Sequence, residues 1–289
     1  MHGKVAAVFI VLTASALLAS CAGSPRASAV ASVSPMHARR IVTLMPAFAD
    51  ETCAMGEGAY LVGVSQFSRN ASCARNVPEV ANFASVDTEK IIALHPDVVI
   101  AIPAQRRMTA ALQRAGVRTV FMPNDTLEQI FGDIRSLGLL TGRIQDAGAL
   151  IARLRRRTAD LERSAQFARH PRVFVVLQAQ PIWTVGPQSY ISTLLQMAGA
   201  RNAVTALPRA YAQYSAEALL RLQPDAIVAG SDVQLESVLN REPWRSLRAV
   251  RENHVYVVRD PNILERPGPK YNEGLSWLIK HLRPLTVSS

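Results

Sequence analysis

The sequence predicts an α/β protein of two lobes, each a parallel sheet covered by helices, with one long helix bracing the lobes against each other. Three observations predict it. Short apolar runs bounded by turn residues recur along the chain with helical patterns between most of them. Unbroken apolar strands that alternate with helices mark parallel sheets buried on both faces. These runs form two series, one on each side of residues 144–168. The chain also says nearly the same thing twice: "DTEKIIALHPDVVIA" at 87–101 is echoed without a gap by "SAEALLRLQPDAIVA" at 215–229.

The chain opens on an export signal. Lys4 supplies a positive n-region, residues 5–18 an apolar h-region, and Leu18-Ala19-Ser20-Cys21 a small-residue cleavage site. The apolar stretch is shorter than the roughly 20 residues that a membrane-spanning helix needs, so residues 1–20 are assigned to a signal peptide. Leu-Ala-Ser-Cys resembles the bacterial lipobox, which implies that Cys21 becomes the lipidated first residue of the mature protein and anchors it to a membrane. An ordinary secretory signal with an incidental cysteine is the alternative. Residues 21–39, rich in Ser, Ala and Pro, read as a flexible tether.

The first lobe, 40–143, holds candidate strands at 41–44, 61–64, 98–102 and 119–122; the second, 169–289, holds them at 173–177, 226–229 and 255–258. Between the lobes, "IQDAGALIARLRRRTADLERSAQFA" has no proline and places Ala147, Ile151, Leu154 and Leu161 at helical spacing. One helix over 144–168 follows, spanning roughly 35 Å at 1.5 Å per residue. Within the repeat, 88–94 and 216–222 read as two-turn helices, N-capped by Asp87 and Ser215 and closed by Pro96-Asp97 and Pro224-Asp225 ahead of a buried strand. Glu89 and Glu217 lie in the first turns, where an acid interacts with the helix dipole for about 0.3–1 kcal/mol. Helices of a parallel sheet begin at the carboxyl edge of the strands, where ligands bind. Both glutamates therefore belong to the ligand-side rim of their lobes.

Composition excludes several classes. The chain has 289 residues and a formal charge of +10, and without its signal it still buries roughly 70–75% of its unfolded surface. Basic residues crowd at Arg153, Arg155, Arg156 and Arg157, but no aromatics interleave with them, so they read as a solvated helix face and no nucleic-acid partner is implied. Cys53 and Cys73 are a candidate disulfide in an exported protein. Two separate thiols are the alternative, because spacing alone does not bring their Cα atoms within about 7 Å. No CxxC, HExxH, Walker loop or GxSxG is present, which gives no sign of an enzyme. His37, His95, His170, His254 and His281 are scattered, with none in a metal-ligand pair.

Several longer stretches carry a family resemblance: "RIVTLMPAFADETCAMGEGAYLVGVS", both Pro-Asp repeats, "YISTLLQMAGARNAV", "PWRSLRAVRENHVYVV" and "ERPGPKYNEGLSWL". In this order, over about residues 40–284, they resemble the bacterial ABC-transporter substrate-binding lipoproteins for cobalamin, haem and iron–siderophore complexes. The resemblance implies two Rossmann-like lobes joined by one rigid helix, with ligand held in the cleft between them. It implies no enzymatic activity and no cofactor, the haem, corrinoid or ferric siderophore being cargo. It also implies a monomer on the periplasmic or cell-surface side, working with an ABC permease dimer and its cytoplasmic ATPase. Glu89 and Glu217 match the lobe-tip glutamates that dock onto permease arginines. Pro46, Phe67, Phe83, Trp183, Tyr211 and Arg266 match the cleft positions of the cobalamin binder, with Ile102 where a tryptophan can occur.

Such a cleft suits a large flat ligand with acidic groups, since rings supply stacking area and Arg a forked donor. Haem would need an axial ligand, for which Tyr211 and Tyr271 are the candidates. Siderophore carriers use several arginines, and Arg69 and Arg266 are the placed ones. The alternative is a ligand-less or metal-ion-binding surface lipoprotein of the same fold.

Overall fold

A computed structural model describes residues 33–286, except 83 and 208. The expected signal peptide, Cys21 and most of the expected tether lie outside the described residues. The first half contributes strands β1 (Ile41–Thr43), β2 (Leu61–Ser65), β3 (Glu79–Ala81), β4 (Val98–Ala101) and β5 (Thr119–Phe121). Interspersed with them are helices α1 (Pro46–Ala54), α2 (Thr88–Ala93), α3 (Ala110–Arg114) and α4 (Leu127–Thr141). The sheet runs β3-β2-β1-β4-β5 with every pairing parallel. Every residue of β1 and β4 is buried, as an apolar strand covered on both faces must be.

After α5 (Ile144–Ser164) the second half adds β6 (Arg172–Ala179), β7 (Ile182–Val185), β8 (Arg201–Asn202), β9 (Tyr211–Gln213), β10 (Ala226–Gly230) and β11 (Val255–Val258). Its remaining helices are α6 (Tyr190–Met197), α7 (Ala216–Leu222), α8 (Arg248–Arg251), α9 (Asn262–Glu265) and α10 (Tyr271–Leu282). The strands order as β11-β10-β6-β7-β9, with β8 alongside β6. Here the expectation of a parallel sheet is corrected. β7 runs antiparallel to both β6 and β9, so the second sheet is mixed. The reason is the connection: only Gln180-Pro181 separate β6 from β7, and a parallel crossover needs a dozen residues or more.

Helix α5 buries Ala147, Leu150, Ile151, Leu154, Thr158 and Leu161 along one stripe. It ends at Ser164 and not at residue 168, because Phe167 leaves the helix to lie against Gly199. Its arginines 153 and 155–157 are exposed, and Arg155 lies over the Phe131 ring at 4.7 Å. The buried stripe packs against α4 on one side and α10 on the other. One hydrophobic core therefore runs from Ile41 and Ile130 through Leu150 and Leu154 to Val228 and Leu278. Within it the Thr158 hydroxyl lies 2.6 Å from the Tyr271 hydroxyl, and Asn272 Nδ2 donates to the Leu154 carbonyl at 3.0 Å.

The repeat has a shared architecture. Asp87 accepts from Lys90 N at 3.0 Å and Ser215 from Ala218 N at 3.1 Å, so both predicted caps form. His95 and Gln223 take the left-handed conformation, with φ of 44° and 42°, that turns each chain out of its helix ahead of the proline. Asp97 then accepts from the backbone N–H groups of Arg39 and Arg40 at 2.7 and 2.9 Å, and Asp225 from that of Arg172 at 2.8 Å. Each aspartate thus pins the start of the central strand of its sheet. Arg40 and Arg172 return the contact by donating to the Leu94 and Leu222 carbonyls.

Among the buried acids, Glu51 of α1 and Asp133 of α4 have strongly perturbed carboxyls. Glu51 is fully buried with neither carboxylate oxygen hydrogen-bonded, and burial first, then Asp133 and Asp50, hold its carboxyl well above the usual range. Burial likewise pushes Asp133 up to about 7, against the hydrogen bond it accepts from Asn124 at 3.1 Å.

Two outcomes follow from these contacts. Asp97→Ala and Asp225→Ala should each lower stability by about 1–3 kcal/mol, since each orphans backbone donors at a strand start; urea unfolding checks this. The folded chain keeps the Glu51 and Asp133 protons at a pH where the unfolded chain has released them. Stability should therefore fall as pH rises from the 3.8 of a free Asp toward about 7, and Glu51→Gln should flatten that fall. Unfolding free energies at pH 5 and pH 8 measure it.

Candidate functional site

The carboxyl edge of the first sheet ends in a recess. β1 runs into Leu44 and Pro46, β2 into Phe67, and β4 into Ile102, and these side chains with Gln105 and Met108 line a hollow of about 280 Å³. Gln105 fixes its floor: its Nε2 donates to the Leu44 carbonyl at 3.3 Å and its Oε1 accepts from Ile102 N at 3.1 Å. Pro46 opens α1 at a position where the missing N–H costs nothing. Phe67 sits on a 3-10 turn, 43% exposed. Two of the predicted cleft residues thus share one hollow, while Phe83 lies outside the described residues.

On the second lobe, Trp183 in β7 pairs with Gln213 of β9, and Val185 with Tyr211. Paired residues of an antiparallel ladder point to the same face and alternate residues share it, so Trp183 and Tyr211 are diagonal neighbours, a spacing aromatic side chains can span. Val185, on that same face, belongs to the core shared by the two lobes. Tyr211 is 39% exposed. Its hydroxyl is pushed up in pKa mainly by burial, with contributions from Asp125 of the first lobe and from Glu265.

Arg266 joins the lobes. Its Nη1 donates to Asp50 Oδ2 at 2.8 Å, and its Nη2 donates to the Phe67 carbonyl at 3.0 Å and to Asn262 Oδ1 at 2.7 Å. Only 12% of the Arg266 side chain and 5% of the Asp50 side chain reach solvent. The fork expected to meet a ligand acid is already engaged by an acid of α1. Sequence reasoning missed Asp50, and the available signal was its place one helical turn after Pro46. Next along the chain, Gly268 Cα-side space abuts Ala47, so this loop lies against the start of α1.

Tyr271 is corrected as a candidate axial ligand. Its side chain is fully buried, its hydroxyl meets Thr158 in α5, and its ring meets Phe131 edge-on at 6.2 Å. It is part of the joint behind the lobes. Glu265 was not singled out by sequence either. Burial, with help from Asp232, pushes its carboxyl up to about 7, and both acids crowd the spot where a Cβ on Gly230 would stand. A glycine is needed there because any side chain would overlap Pro261 and the Asp232 carboxylate.

Glu89 and Glu217 are exposed on α2 and α7, and Glu217 pairs with Arg221 one turn on. Arg69 pairs with Glu79 at 2.5 Å. Cys53 and Cys73 form a disulfide with Cα atoms 5.8 Å apart, tying α1 to the turn Ser72–Ala74. Gly58 lies against it, and a Cβ there would overlap Cys73.

Comparison with known proteins agrees with this geometry. The chain is 30% identical over 258 residues to the uncharacterized ABC transporter substrate-binding lipoprotein YvrC of Bacillus subtilis, covering 86% of this chain and 81% of that protein. The periplasmic vitamin B12 binding protein BtuF of Vibrio cholerae superposes with a TM-score of 0.79 at 26% identity, over 88% of this chain and all of that one. A periplasmic heme binding protein from Pseudomonas aeruginosa superposes with a TM-score of 0.77 at 27% identity, over 87% of this chain and 96% of the other. The family model described as periplasmic binding protein matches residues 41–261. That span is well over half of the chain, which therefore belongs to the periplasmic binding protein family, whose members are binding proteins of transporters and not enzymes.

Proposed function

We propose that the protein captures a bulky metal chelate, a corrinoid, haem or ferric siderophore, between its two lobes and delivers it to an ABC importer. The observation that carries this is one such surface on each lobe: an apolar hollow with Pro46 and Phe67 on the first, and Trp183 with Tyr211 diagonal to it on one sheet face of the second. Flat rings and apolar walls provide area for a large planar ligand, and a few polar groups orient it. Relatives that bind vitamin B12 and heme support the same reading. Phe83, outside the described residues, is proposed as a further ligand-binding residue on the family resemblance alone. Tyr211 is the axial ligand if the chelate is haem.

Delivery rests on Glu89 and Glu217. Both are exposed in the first turns of equivalent helices, and beyond the helix-dipole contribution and the exposed Glu217–Arg221 pair they have no structural task comparable to that of the Pro-Asp half of the repeat. We assign them to permease docking. Two exposed charge pairs of about 0–1 kcal/mol each set orientation and encounter rate more than affinity. Cys21, lipidated, holds the protein at the membrane where the permease lies, and the protein works as a monomer.

Titration with cyanocobalamin, haem and a set of ferric siderophores, followed by absorbance and tryptophan fluorescence, should show saturable binding of at least one chelate. Trp183→Ala should weaken it roughly ten- to a hundredfold. Tight binding of free zinc or manganese with no response to any chelate would refute the reading. With purified permease, Glu89→Arg and Glu217→Arg should each reduce ligand-driven ATPase stimulation while ligand affinity stays within about twofold. Unchanged stimulation in the double variant would leave the glutamates only their helix-dipole contribution.

A further inference from the structure

The cation expected to meet a ligand acid is engaged from inside the protein. Asp50 and Arg266 face each other at 2.8 Å across the two lobes with almost no solvent access. The remaining fork contacts go to the Phe67 carbonyl and Asn262. Asp50 already neutralises this guanidinium, so a ligand carboxylate would have to compete with Asp50 for its charge or take the place of the neutral Phe67 and Asn262 contacts. An Asp50 displaced in that competition would sit unpaired in the interior, next to the buried Glu51. Breaking a buried pair by leaving one member uncompensated is strongly unfavourable. A neutral group, such as a primary amide, asks for no such exchange.

The other charges near this corner point the same way. Glu265, the residue before Arg266, crowds Gly230 together with Asp232. Added negative charge on a ligand would meet this field as well as the occupied arginine.

From this arrangement, and resting on the chelate reading above, we propose that Asp50 is a specificity-determining residue. By holding Arg266 as an internal ion pair it makes the cleft select a chelate whose periphery at this corner is neutral, amide- or ester-bearing, over the same chelate bearing a free acid. Arg266 is then a positioning residue. It sets the approach of the lobes and fixes the Phe67 backbone, and an acid-bearing ligand becomes a good one only when Asp50 is neutralised.

The test uses two pairs of probes that share a ring and differ in charge: haem with its dimethyl ester, and cyanocobalamin with its monocarboxylic acid hydrolysis product. For whichever ring binds, the wild-type protein should hold the neutral member about tenfold more tightly, and Asp50→Asn should remove or reverse that preference. Adding Arg266→Gln to Asp50→Asn should abolish the gain for the acid form. The wild-type comparison needs no variant, so a folding defect in Asp50→Asn does not protect the proposal. Equal or tighter wild-type binding of the acid form overturns it. So does an unchanged preference in a folded Asp50→Asn protein. Failure of every probe to bind, with either charge, instead strikes the chelate reading and removes the proposal with it.

Discussion

The two lobes are held to each other by one hydrophobic core that runs between them without a break. Residues of both sheets and of α4, α5, α6 and α10 belong to a single packed cluster, and α5 forms its spine. Each fully buried Leu or Ile along that helix contributes about 1.5–3 kcal/mol relative to exposure. A hinge at α5 would have to separate Leu150 and Leu154 from their partners and also pull Thr158 from Tyr271 and Asn272. Close-packed interiors resist that sort of continuous deformation. The Asp50–Arg266 contact adds a second tie between the lobes.

This division of labour accounts for the two different kinds of aromatic in the chain. Tyr271 and Phe131 are spent on the joint, buried and edge-to-face. Phe67 and Tyr211 remain among the exposed large apolar side chains, on opposite lobes. An exposed ring is available to a ligand in a way that a buried ring is not.

Much of the fold was legible because its signals are local. Apolar runs at 98–102 and 226–229 have no way to be solvated, and the stripe of α5 is visible at helical spacing. The repeat was legible as a repeat, and its caps as caps. What the sequence hid depends on contacts between distant residues. The antiparallel turn at β7 lay in the shortness of one connection. Edge strand β3, Glu79–Ala81, has too little apolar sequence to stand out. Tyr271 looks like a cleft residue from its place near Arg266, yet the start of α10 turns it into the joint. Asp50 and Arg266 are 216 residues apart, so no local pattern links them. The sequence supplied the arginine without its partner, and the meaning of the arginine changes once the partner is known.

The central claim is that the lobes form one braced body whose cleft is ready before ligand arrives. The most direct measurement is a spin-label distance between residues 89 and 217, as E89C/E217C, with and without saturating cyanocobalamin or haem. A braced body predicts one narrow distribution that moves by less than about 3 Å when ligand binds. A broad distribution in the free protein, or a shift of roughly 5 Å or more on binding, would show hinge closure about α5 and contradict the account.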